Sequence, residues 1–282
     1  MGRMGKVIAV VAVLAVLLCI ELWRSNRMID REMITVTRSD IPAGFDGFRI
    51  AHISDLHSAQ FGEDNAKLVA LIAEEKPDII VITGDVVDKP WDDLNALERT
   101  AKALAAVAPT YYVPGNHEYK RMEGESENIF DVVSHLENAG VTVLRNQAVE
   151  LERNGDFITL LGIDDPNGRA DQISMEDAVR LAHEHYQSDF VLMLNHRYSR
   201  AEEASACGVQ MMLAGHAHGG LIRLPFTDGV IGPSAVWFPK HTNGLYDIDG
   251  MSLVTSRGLG NAGWTRRLFN RPHLPIIELH TK

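Results

Sequence analysis

Five apolar runs in this chain end in side chains that can ligate metals, and that repetition constrains the fold more than any other feature. The terminating segments are Ser54-Asp55-Leu56-His57, Gly84-Asp85, Gly115-Asn116-His117-Glu118, Asn195-His196 and Gly215-His216-Ala217-His218-Gly219-Gly220. The runs before them, Arg49 to Ile53, Ile79 to Ile82, Tyr111 to Val113, Phe190 to Leu194 and Val209 to Leu213, are rich in Ile, Val, Leu or Met and read as buried strands. Asp, His and Asn therefore collect where strands stop and loops begin, the usual place for ligands in a layered α/β protein.

Carboxylate oxygen and imidazole nitrogen suit hard or borderline divalent metals, and two metals about 3.5–4 Å apart need a carboxylate that can bridge them. Asp85 is the natural bridge. Asp55 and His57 stand two apart on a segment read as extended, so both project to one side and can hold one metal. His216 and His218 repeat that spacing from a later strand, with glycines on both sides letting the backbone pass close to the ions. Asn116 adds a neutral amide oxygen and His196 an imidazole, suited to the second metal.

In these residues the chain resembles the calcineurin-like metallophosphoesterases, whose pattern is D-x-H, G-D-x-x-D, G-N-H-[DE], a lone H and G-H-x-H. The matching blocks are Asp55-Leu56-His57, Gly84-Asp85-Val86-Val87-Asp88, Gly115-Asn116-His117-Glu118, His196 and Gly215-His216-Ala217-His218, in family order across most of residues 48 to 220. The resemblance implies a four-layer α/β/β/α sandwich, two mixed sheets flanked by helices, with two metals at one edge. It implies Asp55, His57, Asp85 and His218 as the first metal site and Asp85, Asn116, His196 and His216 as the second. It further implies hydrolysis of a phosphodiester, phosphomonoester or pyrophosphate bond by a metal-bridging hydroxide attacking phosphorus in line, with His117 protonating the leaving oxygen and Asp88 orienting His117. The competing reading is a non-catalytic, membrane-anchored interaction module on the same fold, and retention of every ligand together with His117 counts against it.

Gly219-Gly220-Leu221-Ile222-Arg223-Leu224-Pro225, Ser256-Arg257-Gly258-Leu259-Gly260 and Arg267-Leu268-Phe269 are similar to the membrane-attached bacterial branch of the family. That branch has Gln where this chain has Leu221 and often Pro where it has Tyr198, departures beside the metal shell that bear on specificity. Arg197, Arg223 and Arg257 are candidates to grip a phosphate or headgroup, because guanidinium forks match phosphate oxygens; surface or loop-packing roles are the alternative. Lys89 and Pro90 follow the second block in place of the Arg-Gly of protein Ser/Thr phosphatases. His52 falls on the opposite strand phase to Asp55 and His57 and reads as a packed histidine. His135, His183 and His185 read as surface residues, and His183-Glu184-His185 lacks the spacing of a zinc-protease helix.

Arg3 and Lys6 precede an uninterrupted apolar run from Val7 to Ile20, extended by Leu22 and Trp23. This is the short end of the roughly 17–25 residues that cross a bilayer. No Ala-x-Ala pair lies near its end, so an uncleaved anchor is expected. Residues 1–24 are thus read as the anchor, 25–40 as a juxtamembrane linker and 41–282 as the phosphoesterase domain. Arg24, Arg27, Arg31 and Arg38 follow the span, so charge sits on both flanks and leaves orientation open. The family branch implies a catalytic domain outside the cytoplasm.

Helix-like stretches at Asn65 to Glu75, Leu94 to Val107, Glu127 to Ala139 and Met175 to Tyr186 alternate with the apolar runs, and Gly244 to Val254 and Ile276 to His280 read as strands, an α/β order. The net charge of −11 disfavours nucleic acid as a partner and leaves a phosphorylated small molecule or lipid-linked phosphate as the substrate class. Cys19 in the span and Cys207 far from it form no disulfide framework. A ligand set of oxygen and imidazole without thiolate suits Mn, Fe or Zn. Loops Lys120 to Glu127 and Thr227 to His241 are expected to line the substrate pocket.

Overall fold

All five residues of Ile79–Thr83 are buried, and a strand buried on both faces needs cover from both sides. The computed structural model, which describes residues 2–89, 92–120, 129–168, 173–224, 229–232, 235–261 and 265–282, supplies it with two sheets. The first is built from β1 (Asp30–Arg38), β2 (Phe48–Ile53), β3 (Ile79–Thr83), β4 (Thr110–Val113), β5 (Thr142–Val143) and β12 (His273–Thr281), in the order β1-β12-β2-β3-β4-β5. The second holds β6 (Gln147–Arg153), β7 (Asp156–Ile163), β8 (Val191–Arg197), β9 (Met211–Gly215), β10 (Gly244–Ile248) and β11 (Met251–Thr255), in the order β10-β11-β9-β8-β7-β6. Both are mixed: β2, β3, β4 and β5 run parallel, as do β7, β8, β9 and β11, with antiparallel neighbours at β12, β6 and β10.

Between the sheets lie Ile50, Val81, Val113, Leu160, Leu192 and Leu213. The alternate residues of the first sheet, Ala51, Ile53, Ile80 and Ile82, meet the apolar stripes of α2 (Ala66–Glu75), α3 (Leu94–Ala105) and α5 (Ile129–Asn138). The outer face of the second sheet packs on α6 (Met175–His185) and α7 (Ala201–Ala206) through Met175, Val179, Ala182, Ala201 and Ala204. This is the four-layer α/β/β/α arrangement. Helix starts are set locally: Asp93 accepts the N–H groups of Asn95 and Ala96, and Ser174 accepts that of Asp177, each satisfying donors the helix leaves open.

The stretch expected as a linker departs from that expectation. Asp30–Arg38 forms β1, paired in parallel with β12 over its full length. The cause is a period-two pattern, with Ile34 and Val36 buried between the sheets and their neighbours outward. The preceding helix, α1 (Arg3–Arg27), keeps Val7 to Ile20 exposed and is long and apolar enough to cross a membrane. Expectations placed on Pro90, Glu127, Pro225, most of the loop 120–127 and residues 227, 228, 233 and 234 of the loop 227–241 fall outside the residues described.

Candidate active site

Parallel strands bring their carboxyl ends to one edge, and the ends of β2, β3, β4, β8 and β9 meet there. The loop after β2 lies along the loop after β3: Asp55 N–H donates to Gly84 O at 3.0 Å and His57 N–H to Asp85 O at 2.9 Å. Across the sheets, His196 Nδ1 lies 2.8 Å from Thr83 O and His216 N–H donates to Asp55 Oδ2 at 3.0 Å. Gly215 is obligatory at this crossing, because a Cβ there would overlap Ser54 Oγ and the Asp55 carboxylate.

The ligand segments are not extended, which corrects the strand-like geometry expected of them. Asp55, His57, Asp85, His216 and His218 have φ of 48°, 45°, 53°, 66° and 48°. Left-handed backbone costs a non-glycine residue roughly 1–2 kcal/mol, and such strain collects at functional sites when the surrounding fold enforces it. The turns still aim the side chains inward. Ligand atoms of Asp55, His57, Asp85 and His218 all lie within 4.8 Å of one another, and so do those of Asp85, His196 and His216. Asp85 is common to both groups. Asn116, the first residue of α4 (Asn116–Lys120), joins the second through Oδ1, 3.2 Å from His196 Nε2.

This set fits divalent metal. His57 Nε2 faces His218 Nε2 at 3.3 Å and His196 Nε2 faces His216 Nδ1 at 3.0 Å, so imidazole lone pairs converge on two points beside a shared carboxylate. His196 Nδ1–H donates to the Thr83 carbonyl and leaves Nε2 to ligate. Burial alone would push His196 down, but the adjacent Asp85 carboxylate outweighs it and raises it to about 10. Burial pushes Asp85 the other way, and the His196 and His57 charges hold it well below the usual carboxylate range. A divalent cation held by these residues would replace that proton as the partner of Asp85.

His117 stands beside this centre, with Nδ1 3.2 Å from Asp88 Oδ1 and its N–H donating to Asp85 Oδ1 at 2.8 Å. The arginines are placed differently. Arg257 is buried, its guanidinium 2.7 Å from Asp30 Oδ2 and 2.5 Å from Asn243 Oδ1. Arg197 forms a fork on buried Asp165 at 2.6 and 3.1 Å. Arg223 Nη1 donates to Gly219 O at 3.2 Å, on the loop that follows His218. His52 is buried, with Nε2 2.8 Å from Thr83 Oγ1.

Two supports carried no assigned role in the sequence reading. Glu118 is buried and accepts the N–H groups of Gly115, Asp85, Val86 and Val87 at 2.7, 3.0, 2.7 and 3.4 Å, tying the β3 and β4 loops together. Burial and the Asp85 charge lift its carboxyl to about 7. Its position directly after Asn116-His117 is the only signal of this strut. Arg267, wholly buried, donates to Gly260 O at 2.7 Å with Nη2 3.4 Å from His218 Nδ1, while Asn270 Nδ2 donates to His218 O at 2.7 Å. Nothing local in sequence links these to His218.

A double-sheet α/β/β/α core with a buried Asp/His/Asn centre at its strand ends defines a metallohydrolase. The chain belongs to the calcineurin-like phosphoesterase family, whose model matches residues 48–220, and it is a metal-dependent phosphoric ester hydrolase of a dinuclear family. It is 29% identical over 263 residues to YkuE of Bacillus subtilis (strain 168), an uncharacterized metallophosphoesterase, covering 89% of this chain and 86% of that protein. It is 29% identical over 238 residues to the phosphodiesterase YaeI of Escherichia coli (strain K12), covering 82% of each. The crystal structure of TT1561 from Thermus thermophilus shares the fold, with a TM-score of 0.51 at 13% identity over 75% of this chain and 90% of that one.

Proposed function

We propose that the chain is a membrane-anchored, two-metal phosphodiesterase in which His117 is the general acid. The observation that carries this reading is the convergence of six ligand side chains around Asp85, with His117 and Asp88 at their border. Two divalent ions, when bound, supply Lewis acidity toward the phosphoryl oxygens and acidify water. Asp88 holds the His117 ring by Nδ1, so that Nε2 carries the proton delivered to the leaving alkoxide. The Asp85–His117 backbone hydrogen bond fixes that ring relative to the metal centre. Arg223, on the loop after His218, is assigned to the substrate phosphate, whereas Arg197 and Arg257 hold Asp165 and the β1 edge.

α1 anchors the domain, and the branch pattern supports a catalytic domain outside the cytoplasm; protease accessibility in spheroplasts tests that orientation. Full-length protein is expected to bind about two Mn, Fe or Zn ions per chain and to hydrolyse bis-p-nitrophenyl phosphate. Asp85→Ala is expected to lose metal and turnover, and His117→Ala turnover alone. A protein without metal or turnover under every divalent ion would overturn the reading.

A further inference from the structure

The foot of α1 forms part of the wall of two adjoining cavities. One, of about 640 Å³, lies against Trp23, Met28, Ile29, Phe61 and Leu71, and is mainly apolar. The other, of about 290 Å³, reaches His57 and the Leu259-Gly260 backbone and is lined by Asn26 and Arg266. Arg27, Gln60 and Phe61 line both, so the apolar space and the metal edge share a wall. We propose that the substrate is an amphiphilic phosphoester taken from the bilayer, its alkyl tail in the Trp23–Phe61–Leu71 cavity and its phosphate in the adjoining cavity beside His57.

Three features argue for that occupant. The apolar cavity sits where α1 passes from exposed aliphatic side chains to Trp23, 61% exposed, and then Arg24 and Arg27, the order of residues at a bilayer surface. Lys67, Arg27 and Arg266 surround the two cavities with positive charge in a chain of net charge −11, which favours an anionic headgroup at the interface. A loop bearing exposed aromatics is tied to the same foot. Phe238 N–H donates to Val230 O, Val230 N–H to Ile222 O and Arg223 N–H to Leu268 O, beside Arg267, which Asn26 holds. Trp237 and Phe238 are each 65% exposed and Phe269 51%, so apolar side chains on this face point away from the core.

The proposal rests on the hydrolase site described above, and the test separates the two. Full-length protein in nanodiscs is given p-nitrophenyl phosphodiesters whose second ester is methyl, octyl or dodecyl. The wild type is expected to favour octyl over methyl by at least about tenfold in kcat/KM, since each buried methylene contributes a few-fold. Leu71→Glu, which charges the cavity wall, and Gln60→Trp, an exposed position that fills the junction, are each expected to bring that ratio close to one. A gain with chain length that persists in both variants reflects partition into the bilayer alone and overturns the proposal, as does a wild type indifferent to chain length. A diazirine-tipped dodecyl phosphate supplies a readout without turnover: adducts on residues 60–71 and 23–29 are expected, and adducts confined to Val7–Ile20 overturn the proposal. Failure of the methyl ester to turn over with any divalent ion is the separate signature of a failed catalytic reading.

Discussion

Asn26, in the last turn of α1, grips the backbone of Arg267 at both ends: its Nδ2 donates to Arg267 O at 2.9 Å and its Oδ1 accepts Arg267 N–H at 3.1 Å. α1 is therefore one residue contact away from the guanidinium beside His218. Asn26→Ala is expected to lower stability by about 1–3 kcal/mol, the value of two neutral hydrogen bonds, and to reduce kcat/KM as the 260–270 loop loosens. Chemical denaturation and p-nitrophenyl phosphodiester assays check both.

The same contact decides where a soluble fragment must begin. A fragment starting at Ile34 loses the first four residues of β1, the Asp30 partner of Arg257 and the Ser25 Oγ that accepts Asn270 N–H. Leaving Arg257 buried without its full carboxylate partnership costs on the order of 3–5 kcal/mol. A fragment starting at Ser25 is expected to melt cooperatively and one starting at Ile34 to melt markedly lower or to aggregate, as differential scanning calorimetry will show.

Glu118 satisfies four buried N–H donors, so Glu118→Ala strands all four. Hydrogen bonds to a charged acceptor are worth about 1.5–3 kcal/mol each and are not additive; a net loss of about 3–5 kcal/mol is expected, with reduced metal retention because Asp85 and Asn116 sit on the two loops it joins. Glu118→Gln retains one acceptor oxygen and should fall between. Urea unfolding with elemental analysis after dialysis distinguishes a strut from a residue that only fills space.

His196 is raised to about 10 by Asp85, despite burial, so the metal-free protein carries a proton at neutral pH that a cation must displace. Metal binding at pH 7 should release about one proton per chain from this residue, and affinity should tighten as pH rises toward 10. Calorimetric titration in buffers of different ionisation enthalpy measures the proton directly; a binding enthalpy independent of buffer would count against a protonated His196 in the metal-free site.

Acid lability should arise partly outside the metal centre. His273 is lowered to about 4, chiefly by burial and against its Glu32 neighbour, and His52 to about 3, chiefly by burial and the nearby His273. Because both folded values lie below the unfolded value near 6.5, the unfolded chain takes up more protons between them. Their contribution is therefore full above about pH 6.5 and is lost as pH falls through about 4 for His273 and 3 for His52. His273→Gln should flatten the stability profile between pH 6.5 and 4, removing a differential that approaches about 3 kcal/mol. Equilibrium unfolding of wild type and variant across that range tests the slope.

Much of this was legible along the chain because it is written locally. Apolar runs that must be buried on both faces mark β2, β3, β8 and β9, and the α2, α3 and α6 stripes follow from helical spacing. β1 was harder to see, since its polar outer face and only two buried residues resemble a linker until β12 supplies a partner from the far end of the chain. The arginine candidates show the same limit: a guanidinium near a motif looks ready for phosphate, and only packing reveals that Arg257 meets Asp30 and Arg197 meets Asp165.

Order and identity of side chains by themselves determined the α/β class, the strand-end positions of Asp55, His57, Asp85, Asn116, His196, His216 and His218, and an N-terminal helix able to cross a membrane. Only the tertiary structure decided the left-handed turns that aim those ligands, the buried Glu118 and Arg267 supports, and the docking of α1 beside the metal edge. The physical reason is range. Burial pattern and helix spacing act over a few neighbouring residues, whereas Asn26 and Arg267, Asp55 and His216, or Thr83 and His196 come within hydrogen-bonding distance only after two sheets have closed on a common core.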